Sequence, residues 1–195
     1  MSHRHSAACR PAIAPIHSVI GPFHAHAVRG APLVGCPPRM RDDHPDLSPD
    51  WQPFLRGDRV HLRPLRADDL NALHAAASDP RIWEQHSERN RHERGVFERF
   101  FAGAMASGGG LAACDAATGR VIGSSRFYDW NASDRSVVIG YSFLSRDRWG
   151  DGTNREMKRL MLDHAFRWAR TAWFHVSPGN MRSQKALERI GATLH

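Results

Sequence analysis

Residues 59–65 (RVHLRPL) set Val60, Leu62 and Pro64 against His61 and Arg63 with period two. That alternation predicts a strand, and Pro64 places it at a sheet edge or a strand end. Residues 67–77 (ADDLNALHAAA) change to helical spacing, with two acids in the first turn to suit the positive end of the helix dipole, and Ser78-Asp79-Pro80 stops the run. Residues 94–106 carry Val96, Phe97, Phe100, Phe101 and Met105 on one helical face, closed by Gly108-Gly109-Gly110. Residues 111–115 and 121–128 read as strands about a turn at Ala117-Thr118-Gly119. Residues 136–144 (SVVIGYSFL) form the strongest strand signal. Residues 152–169 form the strongest helix, with Met157, Leu160, Met161, His164 and Trp168 on one stripe. A short strand over 172–176 and a short helix over 180–190, ending at Gly191, complete the pattern. The order predicts a mixed α/β sheet with helices on its faces, without internal repeats.

The first 53 residues break from this pattern. They hold nine of the twelve prolines and six of the thirteen histidines and keep neither period, so they are expected to be disordered or loosely draped, ahead of a domain over 54–195. No acid precedes Asp42, yet Pro11, Pro15 and Pro22 interrupt any amphipathic targeting helix. Met40 offers a simpler start, and a chain beginning there is expected to fold as well as the full one. His3, His5, His17, His24 and His26 are too irregularly spaced for a designed metal site, so no metal is expected.

Composition narrows the function classes. No stretch approaches the roughly 20 apolar residues of a membrane-spanning helix. Cys9, Cys36 and Cys114 form no CxxC pair, which removes the grounds for a disulfide framework or a cysteine zinc site and points to a reducing, cytoplasmic compartment. The net charge is +7, and only two of the 27 basic residues are lysines, Lys158 and Lys185. Arginine suits phosphate groups, although an arginine- and alanine-rich chain also reflects genome base composition. Nucleic-acid binding would rest on charge alone, since no helix-turn-helix, zinc-finger or RNP pattern is present, and it is not expected.

The segment Arg148-Trp149-Gly150-Asp151-Gly152-Thr153-Asn154-Arg155-Glu156 joins the strongest strand to the strongest helix. Two glycines at spacing two let backbone N–H groups turn inward, and the free amides of a first helical turn attract anions. Arg146, Arg148 and Arg155 add charge-assisted contacts suited to a pyrophosphate. The segment is neither a Walker loop nor GxGxxG, because Arg155 takes the last glycine position, and a plain tight turn remains the alternative.

The stretches WGDGTNREMKRLMLDHAF and NMRSQKALERIGA resemble the GNAT superfamily of N-acetyltransferases, in particular the branch of ribosomal-protein N-terminal acetyltransferases. The resemblance rests on Trp149, Gly150, Gly152, Glu156, Asn180, Ser183 and Gly191, is joined by RVHLRPLRADDL and VIGSSRFYDW, and covers about residues 54–195. It implies a three-layer α/β fold with a mixed, mostly antiparallel central sheet flanked by helices. It also implies acetyl-CoA as co-substrate. The loop Trp149, Gly150, Asp151, Gly152, Thr153 and Asn154, with Arg148, would wrap the pyrophosphate. The pantetheine arm would lie between splayed parallel strands over 141–144 and 173–176, held by main-chain groups of Ser142, Phe143 and Leu144. Asn180 and Ser183 would contact the arm, although Asn180 is also a good N-cap residue with no ligand role.

The chemistry implied is direct attack of a neutral primary amine, from a protein N-terminus or a small molecule, on the thioester. Many superfamily members carry a Tyr seven residues after that Asn as the acid for the thiolate; here the position is Leu187. Ser183 and Tyr141 are the catalytic candidates that remain. Glu156 reads as a loop cap or a partner of Arg159, and His164 and Trp168 as packing. His175 reads as a cleft-lining or structural residue. Asp129, with Tyr141, is placed near an acceptor amine, and Glu84 in the Trp83-Glu84-Gln85-His86 loop is either an acceptor contact or plain surface. The family continues past this last helix with two more strands, so the last strands are expected to be missing after His195. The strand over 172–176 would then be an open edge that invites a homodimer or another partner. The alternative reading is an inactive remnant that binds only CoA or a partner.

Overall fold

The computed structural model describes residues 24–30 and 49–195. Among them, β1 (His24–Arg29), β2 (Leu55–Arg56), β3 (Val60–Pro64), β4 (Gly110–Asp115), β5 (Val121–Asn131), β6 (Ser136–Leu144), β7 (Thr171–Val176) and β8 (Thr193–Leu194) form one eight-stranded sheet in the order β2-β3-β4-β5-β6-β7-β1-β8. All its pairings are antiparallel except β6 with β7. The helices are α1 (Leu70–Ala77), α2 (Arg94–Ala106), α3 (Thr153–Ala165) and α4 (Met181–Glu188). No helix among the described residues is long and apolar enough to cross a membrane.

Side-chain alternation in β4 explains the layers. Leu111 and Ala113 join Val60, Leu62, Met157, Met161 and Leu187 in one core, under α3 and α4. Ala112 and Cys114 join Leu73, Trp83, Phe97, Phe101 and Phe143 in the other, under α1 and α2. Every residue of β4 is therefore buried, as a strand covered on both faces requires. The expected elements between 59 and 190 are present with small shifts at their ends. A single turn of 3-10 helix over Ala67–Asp69 precedes α1. Asp69 there takes a bidentate ion pair from Arg63 at 2.6 and 2.7 Å and a hydrogen bond from the Arg66 amide at 2.8 Å. The helix expected to run to 169 ends at Ala165, where Arg167 and Trp168 amides donate three residues back, to His164 and Ala165, and tighten the last turn.

The N-terminal expectation needs correction. His24–Arg29 is not disordered: it pairs antiparallel with β7 at six positions, from His24 opposite Val176 to Arg29 opposite Thr171. β8 adds to its other side. The edge over 172–176 is thus covered within the chain, and the ground for dimerisation through it is gone. An unpaired strand edge recruits any extended segment within reach, and Ala25 and Ala27 are small enough to lie close. His26 is 2% exposed, and neither ring nitrogen has a partner. Residues 49–53 also belong to the fold. Trp51 packs against Phe127, Trp130 and Trp168 with ring centres 5.4 to 5.9 Å apart, and the Asp50 carbonyl accepts from His164 Nε2 at 2.7 Å. The remaining expectations for 1–23 and 31–48, including Met40, fall outside the described residues.

Candidate functional site

The parallel pairing of β6 with β7 covers only Ser136, Val137 and Val138 opposite Thr171, Ala172 and Trp173. Past that point the strands part. The register of β5 against β6 slips between Ser124 and Arg126, and Tyr141 adopts a left-handed φ of 53°. A non-glycine residue in that region signals a local constraint. Tyr141 is 37% exposed, with its ring under the Arg126 guanidinium at 3.9 Å and edge-on to Tyr128 at 5.2 Å. Ser142 Oγ sits 2.7 Å from Ser125 Oγ.

Two adjoining clefts fill the gap. The first, of about 490 Å³, runs from the glycine turn along Ser142, Phe143 and Leu144. The second, of about 450 Å³, is walled by Tyr128, Asp129, Tyr141, His175 and Asn180. His86, Ser142, Lys158 and Ser183 line both, so they mark the junction.

At the mouth of the first cleft, Gly150 and Gly152 hold φ of 82° and 92°, values an L side chain resists. Gly152 is the N-cap of α3. The Thr153 amide donates to Asp151 Oδ1 at 2.8 Å and the Glu156 amide to the Gly152 carbonyl at 3.1 Å. The Asn154 and Arg155 amides keep no protein acceptor among the described residues, which leaves a helix N-terminus open to an anion. Arg148, Arg155, Arg182 and Arg189 line the same cleft. Arg148 also pairs with Asp115 at 2.7 Å. The guanidinium groups of Arg146 and Arg182 lie over the Trp149 ring, 4.3 and 4.1 Å from its centre, and the Trp149 Nε1 donates to the Leu144 carbonyl at 3.2 Å.

The expected loop residues divide here. Ser142, Phe143, Leu144, Arg148, Trp149, Gly150, Gly152, Asn154 and Ser183 line the first cleft. Asp151 and Thr153 do not: Asp151 caps the helix, and Thr153 is fully buried with its hydroxyl unpartnered. Asn180 lies on the second cleft, where its Oδ1 accepts from the Ser183 amide at 3.1 Å, the capping role that its position at a helix start allows. Glu156 faces away from the clefts. Its carboxylate accepts from the backbone amides of Asp58, Arg59 and Val60 at 2.8, 2.8 and 3.1 Å, while Arg159 pairs with Asp163 instead. His164 meets Trp168 edge-on, with ring centres 4.5 Å apart, as packing. Glu84 lines neither cleft.

Sequence reasoning named His86 only as part of the loop over 83–86, with Glu84 as its candidate, and missed Lys158, Arg182 and Arg189 as cleft residues. For Lys158 the signal was present: positions 158, 161, 162 and 165 share a helix face, and Met161, Leu162 and Ala165 on it are buried. A lysine on such a face is out of place unless it serves something. Burial pushes its pKa down to about 8. Burial, and then the charges of Arg91 and Arg182, push His86 down to about 4, so that its imidazole is neutral near pH 7.

The sequence profile described as "Acetyltransferase (GNAT) domain" matches residues 59–193. No curated protein matches the chain. Solved structures that resemble it include a GCN5-related N-acetyltransferase from Brucella melitensis, 22% identical, with a TM-score of 0.64 over 72% of this chain and 67% of that one. Mycobacterium smegmatis RimJ in complex with CoA-disulfide is 23% identical, with a TM-score of 0.59 over 74% and 78%. Spermidine N-acetyltransferase from Vibrio cholerae, in complex with CoA and spermine, is 19% identical, with a TM-score of 0.56 over 69% and 81%. These likenesses speak for the fold, and the profile match, over more than half of the chain, for the family. A sheet that splays beside a glycine-opened helix start, carried by a sequence with that profile, places the chain in the GNAT family of N-acetyltransferases.

Proposed function

We propose that the chain moves an acetyl group from acetyl-CoA to a primary amine, either a protein N-terminus or a small-molecule amine, by direct attack on the thioester. The pyrophosphate lies on the open amides of Asn154 and Arg155, with the arginines of the first cleft adding charge-assisted bonds. The pantetheine amides pair with the unpaired edge of β6 at Ser142, Phe143 and Leu144, as an extended ligand pairs with a strand. This sets the thioester at the junction beside Phe143. The acceptor enters the second cleft, where Asp129 supplies a carboxylate for an incoming ammonium and Tyr128 and Tyr141 supply aromatic faces. The amine, once neutral, attacks the carbonyl carbon, and the thiolate leaves. Ser183, on both clefts, is the group best placed to return a proton to sulfur, and Tyr141 is the second candidate. A thiolate is stable enough to leave with weak acid help, so Leu187 in place of a phenol is tolerable.

The observation that carries this reading is the early end of β6–β7 pairing at Val138 and Trp173, which opens an amide-lined gap leading from the glycine turn. Gly152→Trp sets a side chain at a φ of 92°, with its Cβ against Arg59, and so distorts the turn that presents the phosphate-binding amides. Calorimetry should show CoA binding to the native chain and none to the variant, with the unfolding midpoint recorded for both. Unchanged CoA affinity in a folded variant would overturn the placement. CoA release across peptides and small amines then identifies the acceptor class.

A further inference from the structure

The second turn of α3 carries Lys158 beneath the gap between β6 and β7. Its residue is 7% exposed, its Nζ stands 5.0 Å from the centre of the Phe174 ring on β7, and it makes no ion pair or hydrogen bond among the described residues. It lines both clefts, and the polar groups that share their junction, His86, Ser142 and Ser183, include no carboxylate. The chain therefore holds a primary amine of its own where the thioester is placed, with the face of Phe174 but no carboxylate to keep it charged. The other lysine, Lys185, is exposed on α4 and lines neither cleft.

We propose that Lys158 is a self-acetylation site, resting on the reading above that acetyl-CoA occupies the first cleft. The neutral Nζ lone pair attacks the thioester carbonyl carbon. A C–N bond forms, the C–S bond breaks, and the proton lost from nitrogen passes to the departing thiolate. The products are Nε-acetyllysine and CoA-SH, with no further reactant. A buried amine that titrates near 8 keeps a useful neutral fraction near pH 7. Acetylation removes the charge and fills the junction, so it competes with the acceptor and shuts the site when acceptor amine is scarce.

The test incubates the full chain with acetyl-CoA and no amine, then maps acetyl groups by peptide mass spectrometry. Lys158 should gain one acetyl group at least about tenfold faster than Lys185, because it is held beside the donor. The rate per molecule should not depend on protein concentration. Lys158→Arg and Lys158→Met should both bind CoA by calorimetry and gain no acetyl group at that position. If CoA binds the native chain and Lys158 stays unmodified, the self-acetylation inference falls and the acetyl-CoA reading stands. Equal labelling of both lysines marks bulk acylation and also sinks it. Failure of the native chain to bind CoA overturns both.

Discussion

Lys158 weakens the fold that positions it. Burial lowers its pKa from 10.5 to about 8, so between those values the unfolded chain binds more protons than the folded one. Stability therefore rises with pH across that window, and the full cost is present below about pH 8. At about 1.4 kcal/mol per pH unit, the cost near pH 7 is about 3 kcal/mol. Lys158→Met keeps an unbranched side chain, one heavy atom shorter, and removes the charge. The variant should be more stable than the native chain by up to about 3 kcal/mol at pH 7, with the gain shrinking as pH approaches 10.5. Urea denaturation at pH 7 and pH 10 measures both limits, and equal stability at pH 7 would show that the ammonium is solvated through the cleft. At this scale the sequence was only partly legible. The glycines and the pattern around Trp149 located the turn. Nothing local showed that Thr153 turns inward or that Glu156 reaches amides 96 to 98 residues away at Asp58, Arg59 and Val60. Those outcomes depend on which loop the fold brings alongside.

Among the elements, β1 shows where sequence periodicity loses its force. The strands and helices from Val60 to Glu188 carry their own apolar patterns and were readable from them. The segment His24–Arg29 (HAHAVR) carries almost none, because its stability comes from the partner's edge: six paired positions on β7 satisfy backbone groups that would otherwise be exposed. A chain beginning at Met40 would lack this strand, so we now expect it to fold less well than the full one. Deleting residues 1–39 should expose the Thr171–Val176 edge, strip β8 of its pairing with β1, lower the unfolding midpoint and raise light scattering on heating. A deletion variant with the native midpoint and no added scattering would show that β1 contributes nothing. His26 sharpens the point, since burial, followed by the neighbouring charge of His24, holds its pKa below the usual histidine value. Acid should therefore loosen β1 as His26 takes up a proton.

For the molecule as a whole, the sheet has a seam. β2 to β6 form one antiparallel block, and β7, β1 and β8 form another. Directly between them stand only three parallel register positions, with α3 and α4 packed over one core that includes residues of both blocks. The seam is the price of the cleft: each further parallel pair would close the gap that the glycine turn feeds. A ligand that lies along β6 and spans the gap replaces the missing pairing and joins the blocks, stabilising the folded state by mass action. Hydrogen exchange should reveal this directly. In the free chain, amides facing the gap from residues 139–144 of β6 and 174–176 of β7 should exchange faster than those of Leu111–Cys114, which are paired on both sides. Saturating CoA should slow the gap amides and leave the centre of β4 unchanged. Protection spread evenly over the sheet would indicate general tightening rather than a ligand lodged in the seam. Protection limited to the helix start at Asn154 and Arg155 would mean that only the phosphates are held and that the arm lies outside the sheet.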